Sequence, residues 1–346
     1  MRNRTLLIDS SYLLQNSYHG SRGLSTNKFG HIGGLYFFFT TLRKLIKKHK
    51  TNKVVLVWDG ENGGVDRYLL DHAYKSNRKH KSWYKSIELN DYQIKKENEK
   101  DESILKQRKR IQAYAEELFL RQIEVPKIEA DDLIAQYCID NHEKEDIYLF
   151  TTDRDFAQLL DLNITILFND LEAPINRTNF FFNFNYYYGN ALTMKIICGD
   201  DADCIKGIKG VKETTLIKHF PDLQTRPVSV KEIGKKAIII NKERVENKKP
   251  ELKAIKNIVE GIDRLKLNYL LINLRKPFLN EQAIEDLEQL EMPLSPEDRG
   301  SNNLHKMMLE DEFLIPYSSN FVNYVEPFYV VIMHEKQLLK EYNKKK

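Results

Sequence analysis

Cysteine is scarce in this chain, and the little there is makes no pattern. Cys138, Cys198 and Cys204 stand among 346 residues without CxxC spacing. That gives neither a disulfide framework nor a zinc site, and it points to a reducing, cytoplasmic setting. Long apolar runs are missing as well. Segments such as Ala237–Ile240 and Tyr329–Met333 are far too short to span a bilayer, so no membrane partner is expected. Arg2 and Arg4 precede only Leu6-Leu7-Ile8 before Asp9, which is not the pattern of a cleavable secretory leader. No GxxxxGK[ST] loop is present, which sets NTP hydrolysis aside.

What the chain does have is charge in uneven blocks. With 41% hydrophobic and 30% charged residues it reads as globular, long enough for one large domain or two ordinary ones. The net charge of +4 is modest. From Lys75 to Arg110, however, 12 Lys/Arg stand against 6 Asp/Glu, and from Lys231 to Lys256 the count is 9 against 4. Such segments bind polyanions through counterion release, although either one alone also suits an ordinary solvated helix face.

Between these blocks lies an acidic centre, VPKIEADDLIAQYC followed by IYLFTTDRDFAQLL. Glu129, Asp131, Asp132, Asp153 and Asp155 fall within 27 positions, with no run of Lys or Arg between them. Leu133, Ile134, Tyr137 and Cys138 give a helix whose first turn holds the first three acids. Capping and the helix dipole account for one or two acids there, not three. Converging carboxylates repel one another unless cations bind between them, and oxygen-only sites suit Mg²⁺ or Mn²⁺.

Ile147-Tyr148-Leu149-Phe150 reads as a short apolar strand leading to Asp153, and two further strands end in acids. Thr5-Leu6-Leu7-Ile8-Asp9 and Val54-Val55-Leu56-Val57-Trp58-Asp59 read as buried strands, each followed by a helical pattern. In parallel α/β sheets functional side chains gather at the carboxyl ends of strands, so Asp9, Asp59 and Asp153 are expected to converge. Leu35, Phe38, Phe39, Leu42, Leu45 and Ile46 mark a core-facing helix, and Ile164–Phe168 a further strand closing a mostly parallel sheet. Residues from about 62 to 122 read as a basic, polar arch that orders on a polyanion. The aromatic block Asn179–Tyr188 reads as core.

A second acidic motif follows at Cys198–Phe220. Asp200, Asp201 and Asp203 precede Gly207-Ile208-Lys209-Gly210-Val211, a tight hairpin between helices. Glycines there would let backbone approach a phosphate, with the next helix pointing free N–H groups at it.

In this order the motifs resemble the flap endonuclease/5′-nuclease family, in particular its bacteriophage branch (the T5-type 5′-exonuclease and T4-type ribonuclease H). The resemblance covers roughly residues 5 to 280. It implies an α/β fold: a mostly parallel central sheet flanked by helices, of PIN-like 5′-nuclease type, with a helical arch and a helix–hairpin–helix DNA-binding region. It divides the chain into a nuclease core over 1–195, a hairpin region over 196–290 and an extension over 291–346. It implies Asp9, Asp59, Glu129, Asp131, Asp153, Asp155, Asp200 and Asp203 as ligands of two or more Mg²⁺ or Mn²⁺ ions, assisted by Asp132. Lys75 would contact the scissile phosphate, beside Tyr74 and Arg78, with Arg67 nearby. Gly207, Lys209, Gly210, Val211 and Lys212 would clamp the duplex backbone, a place where the family often holds K⁺. Cys204 and Lys212 depart from the family pattern, and a lysine at 212 can contact phosphate directly.

The implied reaction is two-metal cleavage of a phosphodiester near a 5′ end or junction, with the ions about 4 Å apart and an in-line water as nucleophile. None of the nine histidines falls in the acidic motifs, and none is needed as base. The implied substrates are DNA with a 5′ flap or 5′ end, or an RNA primer, handled by a monomer in the cytoplasm (the host's, if phage-encoded). Two rivals are a PIN-type endoribonuclease and an inactive structure-specific DNA-binding protein. The hairpin argues against the first, and the full set of acids against the second. Glu281–Leu290 and Leu304–Leu314 read as amphipathic helices, and the segment 293–346 as a docking site for a replication protein.

Overall fold

In the computed structural model the described residues are 2–21, 26–27, 30–77, 91–169, 173–295, 299–313 and 320–345. They form two compact units: Met1–Glu61, Ile87–Thr152 and Leu279–Lys346 make one, and Asn62–Ser86 and Asp153–Phe278 the other.

The first unit is built on a parallel sheet. Leu6, Leu7 and Ile8, and every residue of strand Lys53–Trp58, are buried with no alternation. A strand buried on both faces reads this way, which is why these runs are continuously apolar. Strand Asn3–Asp9 pairs in parallel with Lys53–Trp58 on one side (Leu7 opposite Val55) and with Glu145–Thr151 on the other (Leu7 opposite Leu149). Strand Arg121–Glu124 adds beyond Lys53–Trp58, again parallel. The strand order is therefore third, second, first, fourth in chain sequence. It reverses beside Asn3–Asp9, and at such a switch point the carboxyl ends of two strands open a crevice. Helix Gly33–His49 covers the sheet with Leu35, Phe38, Phe39, Leu42 and Ile46, and Phe38 stacks on Trp58 at 5.8 Å.

The amino end of the sheet is pinned by charge. Lys53 Nζ lies 2.8 Å from Glu145 Oε1, and Thr5 Oγ1 and Tyr137 Oη donate to Glu145 Oε2 at 2.6 and 2.7 Å. Burial alone would raise the Glu145 pKa, but Lys53 and the hydroxyl donors hold it below its ordinary value of 4.5. A carboxylate with a depressed folded pKa stabilises above its unfolded pKa, and that stability is lost as pH falls through the folded value. The gap in urea midpoint between wild type and Glu145→Gln is expected to hold steady above pH 4.5 and to close below it. A gap that widened in acid would contradict this assignment.

The C-terminal residues complete the same unit. Helix Glu281–Gln289 buries Ala283 and Leu287, helix Ser301–Glu310 buries Leu304 and Met308, and Phe328 and Val331 have no exposed surface. Arg121 and Glu335 form a buried bidentate pair at 2.8 and 2.6 Å. Arg121 also donates to the carbonyls of Leu290 and Met292.

In the second unit, Asp153 accepts from the N–H of Asp155 at 2.7 Å and starts a 3-10 helix, Arg154–Leu162. Strand Thr165–Phe168 bridges antiparallel to Ile175 through Ile166. The aromatic block divides: Phe180 and Tyr186 are core, while Phe182 is exposed. The unit's longer α-helices are Ala191–Cys198, Glu213–His219, Val230–Glu246, Lys253–Glu260 and Ile262–Ile272. These units are drawn by packing and interleave along the chain, whereas the boundaries expected near 195 and 290 are drawn in sequence.

Candidate active site

In the first unit the acids sit at the carboxyl end of the sheet because backbone contacts leave them nowhere else. Asp9 ends its strand and caps helix Ser10–Gly20, its Oδ1 accepting from the N–H of Tyr12 at 3.0 Å. Thr151 Oγ1 donates to Asp9 Oδ2 across the switch point at 3.3 Å. Asp59 directly follows the next strand, its N–H donating to Ser11 Oγ at 2.9 Å.

Gly60 then lets the chain press against the loop 125–128. A Cβ there would lie 1.7 Å from the Val125 carbonyl oxygen. The Gly60 N–H donates to Ile128 O at 3.0 Å, and the Lys127 N–H to Glu61 O at 2.7 Å. That contact carries Asp59 to the start of helix Ala130–Asn141, where its Oδ1 accepts from the Ala130 N–H at 2.9 Å. Glu129, Asp131 and Asp132 lie at this same helix start, Glu129 and Asp132 buried. The structure thus brings Asp9, Asp59 and the Glu129–Asp132 turn together through short hydrogen-bonded links. Arg108 reaches in as well: it donates to the Asp59 carbonyl at 2.8 Å and pairs with Glu124 at 2.9 Å.

In the second unit a lysine that the sequence reading passed over holds the acids. Lys195 Nζ lies 2.6 Å from both Asp155 Oδ1 and Asp200 Oδ2. The approach to Asp155 is an ion pair without good hydrogen-bond alignment. Burial alone would raise Asp200, but Lys195 and the N–H groups of Ala202 and Asp203 keep its pKa below the usual value. Asp155 stays raised, through burial first, despite Lys195. Burial and the neighbouring Asp155 charge push Asp153 up to about 7. These acids carry more negative charge than one lysine neutralises. The signal was a lone lysine on the apolar helix ALTMKIIC, five residues before Asp200. Among the described residues no three His, Cys, Asp or Glu side chains stand as a ready-made metal cage.

Of the residues expected on the arch, the three that the structure describes, Lys75, Tyr74 and Arg67, are all buried. Lys75, at φ +53, donates its N–H to Asp203 O at 2.8 Å, and its Nζ lies 3.6 Å from Asp203 Oδ2. Tyr74 is core, packed with Ile205, Leu271 and Ile272. Arg67 is also buried, donating to Leu271 O at 2.8 Å with its guanidinium over Phe278. Both brace the second unit, not a solvent-facing segment. Arg78 lies outside the described residues, as does the rest of 78–90, while helix Asp91–Glu117 belongs to the first unit.

In the hairpin, strands Gly199–Asp200 and Ile205–Lys206 pair antiparallel. Gly207 is required by the chain itself, since a Cβ there would lie 1.9 Å from the Cys198 carbonyl. Gly210 has φ +79 and an open face. The Val211 side chain turns inward, whereas Lys206, Lys209 and Lys212 are exposed. The three lysines are what this turn offers to a phosphate.

Acids at the ends of parallel strands in one unit, and half-buried carboxylates with an exposed lysine turn in the other, are the equipment of a nucleic-acid hydrolase. The comparisons with known proteins are narrower. The model of the 5′–3′ exonuclease N-terminal, resolvase-like domain matches residues 4–185, and the chain belongs to that family: it is a 5′ nuclease. It is 28% identical over 300 residues to a 5′–3′ exonuclease of Mycoplasmopsis pulmonis, covering 78% of this chain and 93% of that protein. A 5′–3′ exonuclease of Halalkalibacterium halodurans is 25% identical over 294 residues, with 77% and 88% covered. Among solved structures, the bacteriophage T5 flap endonuclease in complex with DNA and metal ions superposes with a TM-score of 0.60 at 17% identity. That match spans 89% of this chain and 99% of that one, and it shows the shared fold. No helix among the described residues is long and apolar enough to cross a membrane.

Proposed function

We propose that this nuclease hydrolyses phosphodiesters near the 5′ end or junction of DNA, or of an RNA primer on DNA, with divalent cations bound by its acids. The observation that carries the proposal is the Asp153–Asp155–Asp200 group, built around positive charge and left short of it by the single Lys195. Its donors are oxygen alone, the chemistry Mg²⁺ and Mn²⁺ favour. Asp153, Asp155, Asp200 and Asp203 of one unit, and Asp9, Asp59, Glu129 and Asp131 of the other with Asp132 assisting, would hold the ions. When bound, the ions supply charge neutralisation at the phosphate and an activated water. Lys75 would meet the scissile phosphate, and Lys209 and Lys212 the duplex backbone, worth roughly one unit each in the slope of binding against salt. The lysine turn favours this reading over a PIN-type endoribonuclease.

A labelled 5′-flap duplex tests the proposal directly. Cleavage is expected with Mg²⁺ or Mn²⁺, none after chelation by EDTA, and full recovery when the ion is restored. Undiminished cutting in EDTA would refute the metal assignment.

A further inference from the structure

Away from these acids, the second unit carries a groove of about 760 Å³ between helices Val230–Glu246 and Ile262–Ile272, closed on one side by Lys253–Glu260. Each long wall presents one helical stripe: Gly234 and Ile238 on the first, Ile262, Lys266 and Leu270 on the second. Ile238, Ile262 and Leu270 are each about half exposed, although apolar side chains of this size gain roughly 1.5–3 kcal/mol from full burial. Contiguous apolar surface of this kind marks an interaction site.

Gly234 sharpens the reading. Glycine inside a helix costs about 1 kcal/mol relative to alanine. A Cβ at Gly234 would meet nothing within 4 Å, so packing within the chain does not require it. A missing side chain on one wall of an apolar groove leaves room for another backbone to come close.

The charges on the groove are of one sign. Lys231 and Lys266 are the charged lining residues among those described, and Lys266 shares its charge with Asp263 at 3.2 Å. Beyond Gly234 and these lysines the lining is aliphatic apart from Tyr269, whereas bases stack on aromatic faces. Two parallel stripes with a gap between them fit a third helix. We infer that this groove docks an amphipathic helix of another protein, one with an apolar stripe flanked by acidic residues.

The probe is a fluorescein-labelled synthetic peptide of about 18 residues, five helical turns, with leucines on one face and glutamates on the rest. It is titrated into the full chain by fluorescence anisotropy. Saturable binding is expected, weakened roughly tenfold or more by Gly234→Leu, which fills the gap in the wall, and by Lys231→Glu combined with Lys266→Glu. Gly234→Leu should melt no lower than wild type, because leucine is the better helix former. Ile238→Asp serves as a second variant should that one misfold. Equal binding of a lysine-flanked peptide, or binding indifferent to Gly234→Leu and Ile238→Asp, would overturn the inference. So would displacement of the peptide by single-stranded oligothymidylate, or a dimer of the chain that Gly234→Leu dissociates.

Discussion

Asp155→Asn is expected to lower flap cleavage about a thousandfold, equivalent to roughly 4 kcal/mol of barrier, while duplex binding changes little. The substitution keeps the shape of the side chain and removes its charge. It takes one of two carboxylates from Lys195, which then retains Asp200 at 2.6 Å. The exposed lysines of the turn at 206–212 are untouched, so binding and cutting should separate. Protons should also compete with the cation: with Asp153 pushed up to about 7, apparent Mn²⁺ affinity should weaken as pH falls through that value, which titration calorimetry can follow. A variant that cuts at a near wild-type rate would remove Asp155 from the ligand set.

Glu335→Ala should be the most damaging single change to stability away from the acids. It leaves the Arg121 guanidinium, 2% exposed, without its bidentate partner, and breaking a buried pair in this way costs about 3–5 kcal/mol. The double replacement R121M/E335M should recover most of the loss, since two well-packed apolar side chains carry no charge to desolvate. Urea unfolding of the three proteins would decide it. A loss under about 1 kcal/mol for Glu335→Ala, the scale of an ordinary surface change, would mean that water reaches Arg121.

Where the sequence was legible, the reason is local. Leu6-Leu7-Ile8 and Val54–Trp58 are continuously apolar because both faces of those strands are covered. The acids that end them follow from the rule that parallel strands open their carboxyl ends. Helix Ala130–Asn141 was readable from the spacing of Leu133, Ile134, Tyr137 and Cys138. Arg67 and Tyr74 show the opposite case. In sequence they belong to a basic, aromatic stretch suited to a phosphate, yet their side chains are enclosed by Leu271, Ile272 and Phe278 from two hundred residues away. No local pattern announces such a partner.

The C-terminal segment makes the same point about charge. Glu335 sits among ordinary polar residues of a helical pattern, and nothing near it in sequence marks it as buried. Only the approach of strand Arg121–Glu124 makes it half of an enclosed pair. Lys195 is similar: a single lysine on an apolar helix is unremarkable until Asp155 and Asp200 close on it from either side.

By itself the sequence determined the strands leading to Asp9, Asp59 and Asp153, the helix carrying Glu129–Asp132, the acidic residue types and the family, because periodicity and motif order are properties of neighbours along a chain. The tertiary structure decided which charges are structural and which remain for chemistry. Lys53 with Glu145, and Arg121 with Glu335, neutralise one another in the core, whereas the acids around Lys195 outnumber it. Burial and distance set that balance, and both depend on residues far apart in sequence.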